Sequence, residues 1–388
     1  MLETIREFAG ERLSQSGEEA RLRGAHLEFF LRFSEQAAPR LQGAQQWIWL
    51  QQLGAEFENL RAALAWARES GVPQPIERLA KATEQLADIR LLLGVPTQAL
   101  PLYRETLRLW DGAERADPNT AARLNAKILQ TLARLFRYID SVQFRALRQE
   151  ADGPRAALLA SLEAARLAPP SPEAVRLLRA LAMDALIMRD PRDWSLAEKF
   201  AREALAMAEQ VNSPADLSAA LGALSEVLGT RGSWRECAQI TLRRIAINDA
   251  ARLGDVQERA TALIDAGWAL EKVGEYAEGA RWSIEGGSLA EQAKMVDLEK
   301  IALDQRIHCL LGLDRWDDVM ALDVKLRDMQ RRYPRERIGP SCYAISAIAR
   351  IHGLRGELDL ARAQRNEADA IMTSMMGPHE DWLQMQHY

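Results

Sequence analysis

Apolar residues recur along this chain at the three- and four-residue steps of amphipathic helices, and no stretch alternates apolar and polar residues as a strand would. In the C-terminal half the helical pattern itself repeats. A large side chain returns at intervals of 40, 42, 40 and 42 residues, at Trp194, Trp234, Tyr276, Trp316 and Leu358. Such regular spacing predicts stacked helical hairpins, because one hairpin cannot bury its own apolar face.

The residues around these five positions follow one order. A leading hydrophobe comes thirteen residues earlier, at Leu181, Leu221, Leu263, Leu303 and Ile345. Counted from the same large side chain, small residues recur nine positions earlier and three positions later. In three of the repeats a glycine lies two positions earlier. This order resembles the tetratricopeptide repeat, with a period about 6 to 8 residues longer than the usual 34. It predicts an all-α fold, a right-handed superhelix (solenoid) of antiparallel helix hairpins with a period of about 40 residues.

The pattern divides the chain into three parts. Residues 1–70 are expected to form three helices, the third running from Trp47 to Leu64. Residues 71–175 resemble degenerate repeats, with one hairpin turning at Gly94 and an insertion or loosened turn at Asp140–Gly153. Residues 176–388 hold the regular repeats. We expect a continuous core running along the stacked hairpins.

Charge and cysteine content narrow the class of protein. The net charge of −5 and the pI near 5.8 argue against a general polyanion-binding protein. The three cysteines form no CxxC pair, and Cys237 lies at a small-residue position, where a buried packing role is expected. The sequence shows neither an apolar run long enough to cross a bilayer nor a signal peptide. We therefore expect a soluble, cytoplasmic protein without a membrane partner.

Catalytic motifs are missing from the sequence. It contains no phosphate-binding loop, dinucleotide fingerprint, HExxH or GxSxG pattern. His379, Glu380 and Asp381 lack the helical spacing that would aim them at a metal ion. We therefore predict a non-enzymatic protein without cofactor or metal, the alternative being an enzyme with an unrecognised site inside the superhelix.

One segment is locally basic. Arginines crowd the stretch from Arg331 to Arg337, with Lys325 and Arg327 just before it. These cations could contact nucleic-acid phosphates, or simply solvate a helix end, where positive charge complements the helix dipole. No aromatic residues interleave to stack on bases, which favours the second interpretation.

The repeat register predicts a recognition surface. In this architecture the first helix of each hairpin lines the concave face, and the residue five positions after the leading hydrophobe points into the groove. The residues so identified are Leu186, Glu226, Trp268, His308 and Arg350, flanked by Asp190, Lys272, Asp304 and Tyr343. Trp268 is expected to be an exposed anchor whose replacement by alanine leaves folding nearly unchanged. Alternatively, the superhelix is closed by its own termini and the groove holds only water.

Two N-terminal segments carry a more specific resemblance. Met1–Leu13 and Trp49–Trp66 resemble the junction that follows the winged-helix domain in bacterial signal-transducing ATPases of the AfsR, MalT and LuxR type. In that family the repeats after the junction act as sensor and regulatory arm. The nucleotide-binding and helix-turn-helix motifs are absent here, so the resemblance implies a truncated or split regulator, or an excised sensor portion.

The leading hypothesis is a repeat scaffold that binds a protein, a peptide or a small-molecule inducer and relays this to an ATPase-containing transcriptional regulator. The alternatives are a stand-alone adaptor for protein assembly and, less favoured, a nucleic-acid binder acting through Arg331–Arg337.

Overall fold

The computed structural model describes residues 3–41, 46–70, 76–111, 117–136, 138–333 and 341–376. These residues form helices and short turns, with no strand among them. The expected all-α solenoid of helix hairpins is confirmed. No helix within the described ranges has both the length and the apolar character needed to cross a bilayer.

The described residues of the N-terminal segment form four α-helices where three helices were expected, and a short 3-10 turn (Ala38–Arg40) follows the second. They are α1 (Glu3–Ser16), α2 (Glu19–Ala37), α3 (Gln46–Ala55) and α4 (Phe57–Glu69). The first break lies at Gly17, where φ is +70°, a conformation that glycine adopts readily. The single helix predicted from Trp47 to Leu64 was wrong, because the chain turns at Glu56 and starts a new helix.

The middle segment holds five helices, namely α5 (Ile76–Leu92), α6 (Pro96–Asp111), α7 (Pro118–Leu135), α8 (Ser141–Glu150) and α9 (Asp152–Arg166). Helices α5 and α6 pair across Gly94, which adopts φ of +74°. The loosened turn expected over Asp140–Gly153 is instead helix α8 and the start of α9. Asp140 explains the difference, because its carboxylate accepts the amide hydrogens of Val142 and Gln143 and so caps α8.

Five hairpins follow, built from α10 (Pro172–Met183), α11 (Trp194–Val211), α12 (Pro214–Thr230), α13 (Trp234–Ala250), α14 (Val256–Lys272), α15 (Tyr276–Gln292), α16 (Val296–Gly312), α17 (Trp316–Arg332), α18 (Cys342–Leu354) and α19 (Leu358–Met376). We call the even-numbered members, α10 to α18, the A helices and their partners the B helices. Each of the five recurring large residues opens a B helix, which confirms the repeat register.

Left-handed residues make the turns inside four of these hairpins. Gly232, Gly274 and Gly356 have φ of +85°, +88° and +80°, and Asp314 takes the same place with φ of +56°. A left-handed residue after a helix satisfies its last carbonyl groups, and glycine adopts that conformation without steric cost. The glycine signal in the sequence therefore located these turns correctly.

The core follows the leading hydrophobes. All five are buried, from fully buried Leu181, Leu221 and Leu263 to Leu303, which is 8% exposed. Small residues let the paired helices approach closely, since a Cβ on Gly267 would lie 3.0 Å from the carbonyl oxygen of Gly279. Cys237 is buried in the same layer, and burial raises its pKa to about 12. Its expected packing role is therefore supported.

The N-terminal helices also contact the repeats. Leu50, Leu53 and Ile89 share a buried cluster with Ala290 and Met295 at the end of α15 and the start of α16. A hydrogen bond from the hydroxyl of Tyr138 to Asp297, 2.6 Å long, joins the middle segment to the same turn. The early helices thus reach across to a late repeat, as in the alternative in which the superhelix closes on itself.

Candidate functional site

The A helices stack side by side and carry the predicted recognition residues. Contacts run from α10 to α12, from α12 to α14, from α14 to α16 and from α16 to α18. Of the predicted residues, Lys272 at the end of α14, Asp304 and His308 on α16, and Tyr343 on α18 form one cluster, while Trp268 lies one helical turn before Lys272 on α14 and Glu226 lies on α12. We call Lys272, Asp304, His308 and Tyr343 the C-terminal groove cluster.

Two members of the C-terminal groove cluster present buried polar atoms that have no hydrogen-bond partner among the described residues. Asp304 binds Lys300 through Oδ2 at 2.8 Å, but its Oδ1 is buried and accepts no hydrogen bond. His308, one helical turn further along α16, has a buried Nε2 without a hydrogen-bond partner. An unsatisfied buried polar atom costs about 1–3 kcal/mol, and such atoms are uncommon in folded proteins. A polar ligand or ordered water is what these two atoms require.

The surroundings of His308 keep its ring neutral. Burial lowers the pKa of His308, and the nearby Lys272 lowers it further, while Glu271, Asp304 and a hydrogen bond to the backbone of Tyr343 oppose them. A neutral imidazole offers one donor and one acceptor. Tyr343, which is 60% exposed, packs its ring 6.5 Å from the imidazole in an edge-to-face arrangement. The C-terminal groove cluster therefore combines a polar acceptor, an imidazole and an exposed aromatic ring.

Trp268 is not the freely exposed anchor expected from the sequence. Its ring lies edge-to-face on Trp234, with centroids 4.7 Å apart, and covers Gly229 of the preceding A helix. A Cβ added at Gly229 would lie 2.4 Å from Trp268 Cζ3. Trp268 is therefore partly buried and packs between neighbouring repeats, so we now expect its removal to cost stability.

Leu186 and Asp190 do not line the groove with the others. Leu186 is only 2% exposed, because the π-helical turn Asp184–Met188 interrupts α10 and rotates the following residues out of the repeat register. Asp190 pairs with Arg148 of α8 at 2.9 Å. Arg350 is exposed on α18 and forms no ion pair with any described residue.

A buried arginine links the hairpins beside Glu226. Arg244 of α13 is 4% exposed and packs its guanidinium against Gly222. It binds Glu258 at 2.8 Å and Asp265 at 2.7 Å, both on α14. Burial together with the neighbouring carboxylate of Glu226 raises the pKa of Asp265 to about 6, while Arg244 opposes the shift. This network holds α12, α13 and α14 together and makes the middle of the groove acidic.

Sequence reasoning missed a group of cations on α7 and on the first A helix, α10. Arg176 and Arg179 of α10 lie beside Arg123 and Lys127 of α7, close enough that Arg176 lowers the pKa of Arg123, Lys127 and Arg179. The signal in the sequence was the three-residue spacing of Arg176 and Arg179, which puts both on one helix face.

A separate cleft of about 1010 Å³ opens beside the π-helical turn. Arg148, Arg155 and Arg189 line it, but Arg148 pairs with Asp190 and the other two bind the fully buried Asp184. Arg155 does so with two hydrogen bonds of 2.6 and 2.8 Å. These arginines therefore neutralise acids of the fold.

The described part of the basic segment is likewise paired with acids. Lys325 binds Glu299 at 2.9 Å, Arg327 binds Asp323 at 2.9 Å, and Arg332 pairs with Asp328 on its own helix. Arg335 and Arg337, like His379, lie outside the described residues. Paired charges at the end of α17 agree with the solvated helix end that the sequence favoured.

Comparison with solved structures places the fold among helical repeat proteins. A Rap protein complexed with Competence and Sporulation Factor shares 12% identity and a TM-score of 0.57, over 92% of this chain and 99% of that one. Aspartyl phosphate phosphatase F from Bacillus subtilis shares 13% identity over 92% and 95% of the two chains, with a TM-score of 0.49. A third similar structure is a Pyrococcus horikoshii signal transduction ATPase with a tetratricopeptide repeat sensor, at 10% identity and a TM-score of 0.49. The match covers 91% of the present chain and about half (52%) of the ATPase. No protein-family model matches the chain, and no curated protein matches its sequence. Identities this low establish the fold alone.

Proposed function

We propose that this protein is a repeat scaffold that binds a peptide segment of a partner protein along the concave face of its A helices. The observation that carries this proposal is the pair of buried, unpartnered polar atoms in the groove, Asp304 Oδ1 and His308 Nε2. The polar groups of a bound peptide would satisfy both the carboxylate oxygen and the imidazole nitrogen. The exposed ring of Tyr343 adds apolar area next to them, the combination that binding hot spots use.

A peptide is the ligand class that this surface fits best. The A helices stack into an elongated groove, and its side chains alternate between charged and aromatic character, from Glu226 through Trp268 and Lys272 to His308. The Rap protein of similar fold was solved in complex with Competence and Sporulation Factor, so this architecture can hold a ligand. We further propose that the scaffold acts as the sensor arm of a transcriptional regulator, in line with the resemblance of Trp49–Trp66 to the junction of signal-transducing ATPases.

The test is selection of short random peptides displayed on phage against the purified chain. Peptides that use the groove should lose about tenfold or more in affinity for the double variant Asp304→Asn, His308→Gln, because the first change replaces a carboxylate oxygen or its charge and the second replaces the imidazole, both with little change in size. Arg243→Gln is the matched control, since Arg243 pairs with Glu209 on neighbouring B helices, away from the A helices. Peptides that bind wild type and the double variant equally would refute the proposed site.

A further inference from the structure

The cations on α7 and α10 differ sharply in their partners. Lys127 has its ammonium 2.7 Å from Glu84 and 2.6 Å from Asp88, and Arg123 also pairs with Glu84. On the other side, Glu258 is bound by Arg244. These carboxylates are therefore already engaged on both flanks of α10.

Arg176 and Arg179 stand between these pairs without an ion pair of their own among the described residues. The Nε of Arg179 is buried and donates no hydrogen bond. Burial lowers the pKa of Arg179 to about 10, Arg244 and Arg176 lower it further, and Glu258 opposes them. The guanidinium still carries its charge at neutral pH. The guanidinium is partly buried, and Glu258 and Asp216 lie close enough to act on it without forming an ion pair, so the cost of burying its charge is only partly compensated.

We propose that Arg176 and Arg179 bind a carboxylate of an acidic peptide lying in the groove. This rests on the proposed function and specifies the ligand's chemistry at the early end of the A helices. A guanidinium binds a carboxylate through two parallel hydrogen bonds, which would occupy the free Nε of Arg179. A single negative charge fits better than a phosphate dianion, because Glu84 and Asp88 on one flank and Glu258 on the other would repel a second charge.

A purely structural arginine would behave differently from a ligand-binding one. Arg179→Gln removes a partly buried charge that has no ion pair among the described residues, so the unliganded variant should melt at the same temperature as wild type or higher. Arg179→Lys keeps the charge but loses the fork, so it should bind acidic peptides more weakly than wild type and more tightly than Arg179→Gln. If Arg179→Gln fails to fold, the structural role is established and the inference falls. Arg176→Gln is the second variant that tests peptide binding independently.

The experiment uses the same phage-displayed peptide selection on the full chain. Peptides selected by wild type should be rich in Asp and Glu, and should lose about tenfold or more in affinity for Arg176→Gln and Arg179→Gln, measured by calorimetry. Versions of these peptides with glutamine in place of the acidic residues should bind wild type as weakly as the acidic peptides bind the two variants. Arg243→Gln again serves as the control and should bind like wild type.

Three outcomes would overturn the inference, and they are distinguishable. Peptides that need Asp304 and His308 but carry no excess of acidic residues would refute the carboxylate site and leave the proposed function standing. A phosphoserine peptide that binds Arg179 about tenfold tighter than its glutamate counterpart would assign the site to phosphate instead. Selection of no groove-dependent peptide would refute both proposals together.

Discussion

Gly229 offers a direct test of how Trp268 packs. Gly229 lies on α12 eight residues after its leading hydrophobe, and Gly353 holds the equivalent place on α18. A Cβ at Gly229 would lie 2.4 Å from Cζ3 and 2.5 Å from Cη2 of Trp268, far inside normal contact. A Cβ at Gly353 meets only Ala361 Cβ, at an ordinary 3.9 Å. The two glycines therefore differ in what covers them and share their place in the repeat.

The expected free energies follow from that difference. Replacing a helical glycine by alanine gains up to about 1 kcal/mol of helix propensity, and less near a helix end. Overpacking costs about 1–3 kcal/mol, and here the Trp268 ring must shift away from Trp234 to make room. We expect Gly229→Ala to be less stable than wild type by about 1 kcal/mol, and Gly353→Ala to be neutral or slightly more stable.

Urea denaturation followed by circular dichroism gives the free energy of unfolding, and hydrogen exchange shows which repeat loses protection. The loss in Gly229→Ala should be confined at first to α12, α13 and α14, because repeats couple mainly to their neighbours. In the double variant Gly229→Ala, Trp268→Ala the added methyl group should cost much less stability, since only the 3.2 Å contact with Trp234 Cζ3 is left. Equal stability of Gly229→Ala and Gly353→Ala would show that the Trp268 ring does not cover Gly229.

Three further results are expected. Leu263→Ala should lower the free energy of unfolding by about 2–5 kcal/mol, since Leu263 is fully buried, and hydrogen exchange should show the loss near α14 first; equal loss at both ends of the chain would contradict this. Trp268→Ala should cost about 2 kcal/mol, because the ring is only partly buried, and an unchanged urea midpoint would show that it packs on nothing. Folding lowers the pKa of His308, so its contribution to the free energy of unfolding is complete above the unfolded value of 6.5 and is lost as the pH falls through its folded pKa. The variant His308→Gln should not show this loss. Parallel profiles of stability against pH for the two proteins would refute the prediction.

The repeat fold was readable because its signals are local. Leading hydrophobes, small residues and left-handed turn residues each have one conformational or packing role, and their spacing along the sequence is their spacing in the helix hairpin. The turns between hairpins were harder to find. Asn212, Arg252 and Lys294 adopt positive φ there, and only asparagine is a residue type that commonly signals this conformation.

The groove could be placed from the sequence but its packing could not. Trp268 holds a concave register position on α14, yet its ring lies over Gly229 on the preceding A helix, α12. That contact joins residues of neighbouring repeats and depends on the angle between hairpins, which no single repeat encodes. Gly229 itself was the available clue, since a glycine inside a helix indicates that something large approaches it. Leu186 was misplaced for a different reason, since a π-helical turn shifts the register without leaving a spacing signal.

The buried charges were not predictable because a charged residue in a repeat is normally solvated. Arg244 lies on a B helix at a buried position, where the pattern expects a hydrophobe. Its partners Glu258 and Asp265 belong to the following hairpin, so the pairing becomes visible only when the hairpins stack. Gly222 gave a weak hint, because its missing side chain makes room for the guanidinium.

The two unsatisfied regions of the groove together set a length for the ligand. Arg179 lies on α10 and His308 on α16, so three steps between neighbouring A helices separate them. Packed helices lie 8–10 Å apart, which makes the span about 30 Å along the stack. An extended chain advances about 3.3 Å per residue, so roughly nine residues are needed to reach both. A shorter peptide can satisfy either the guanidinium or the imidazole, but not both.

The acidic residues of a bridging peptide should then lie at one end and its polar or aromatic contacts at the other, because the intervening groove wall, with Glu226 and Asp265, repels negative charge.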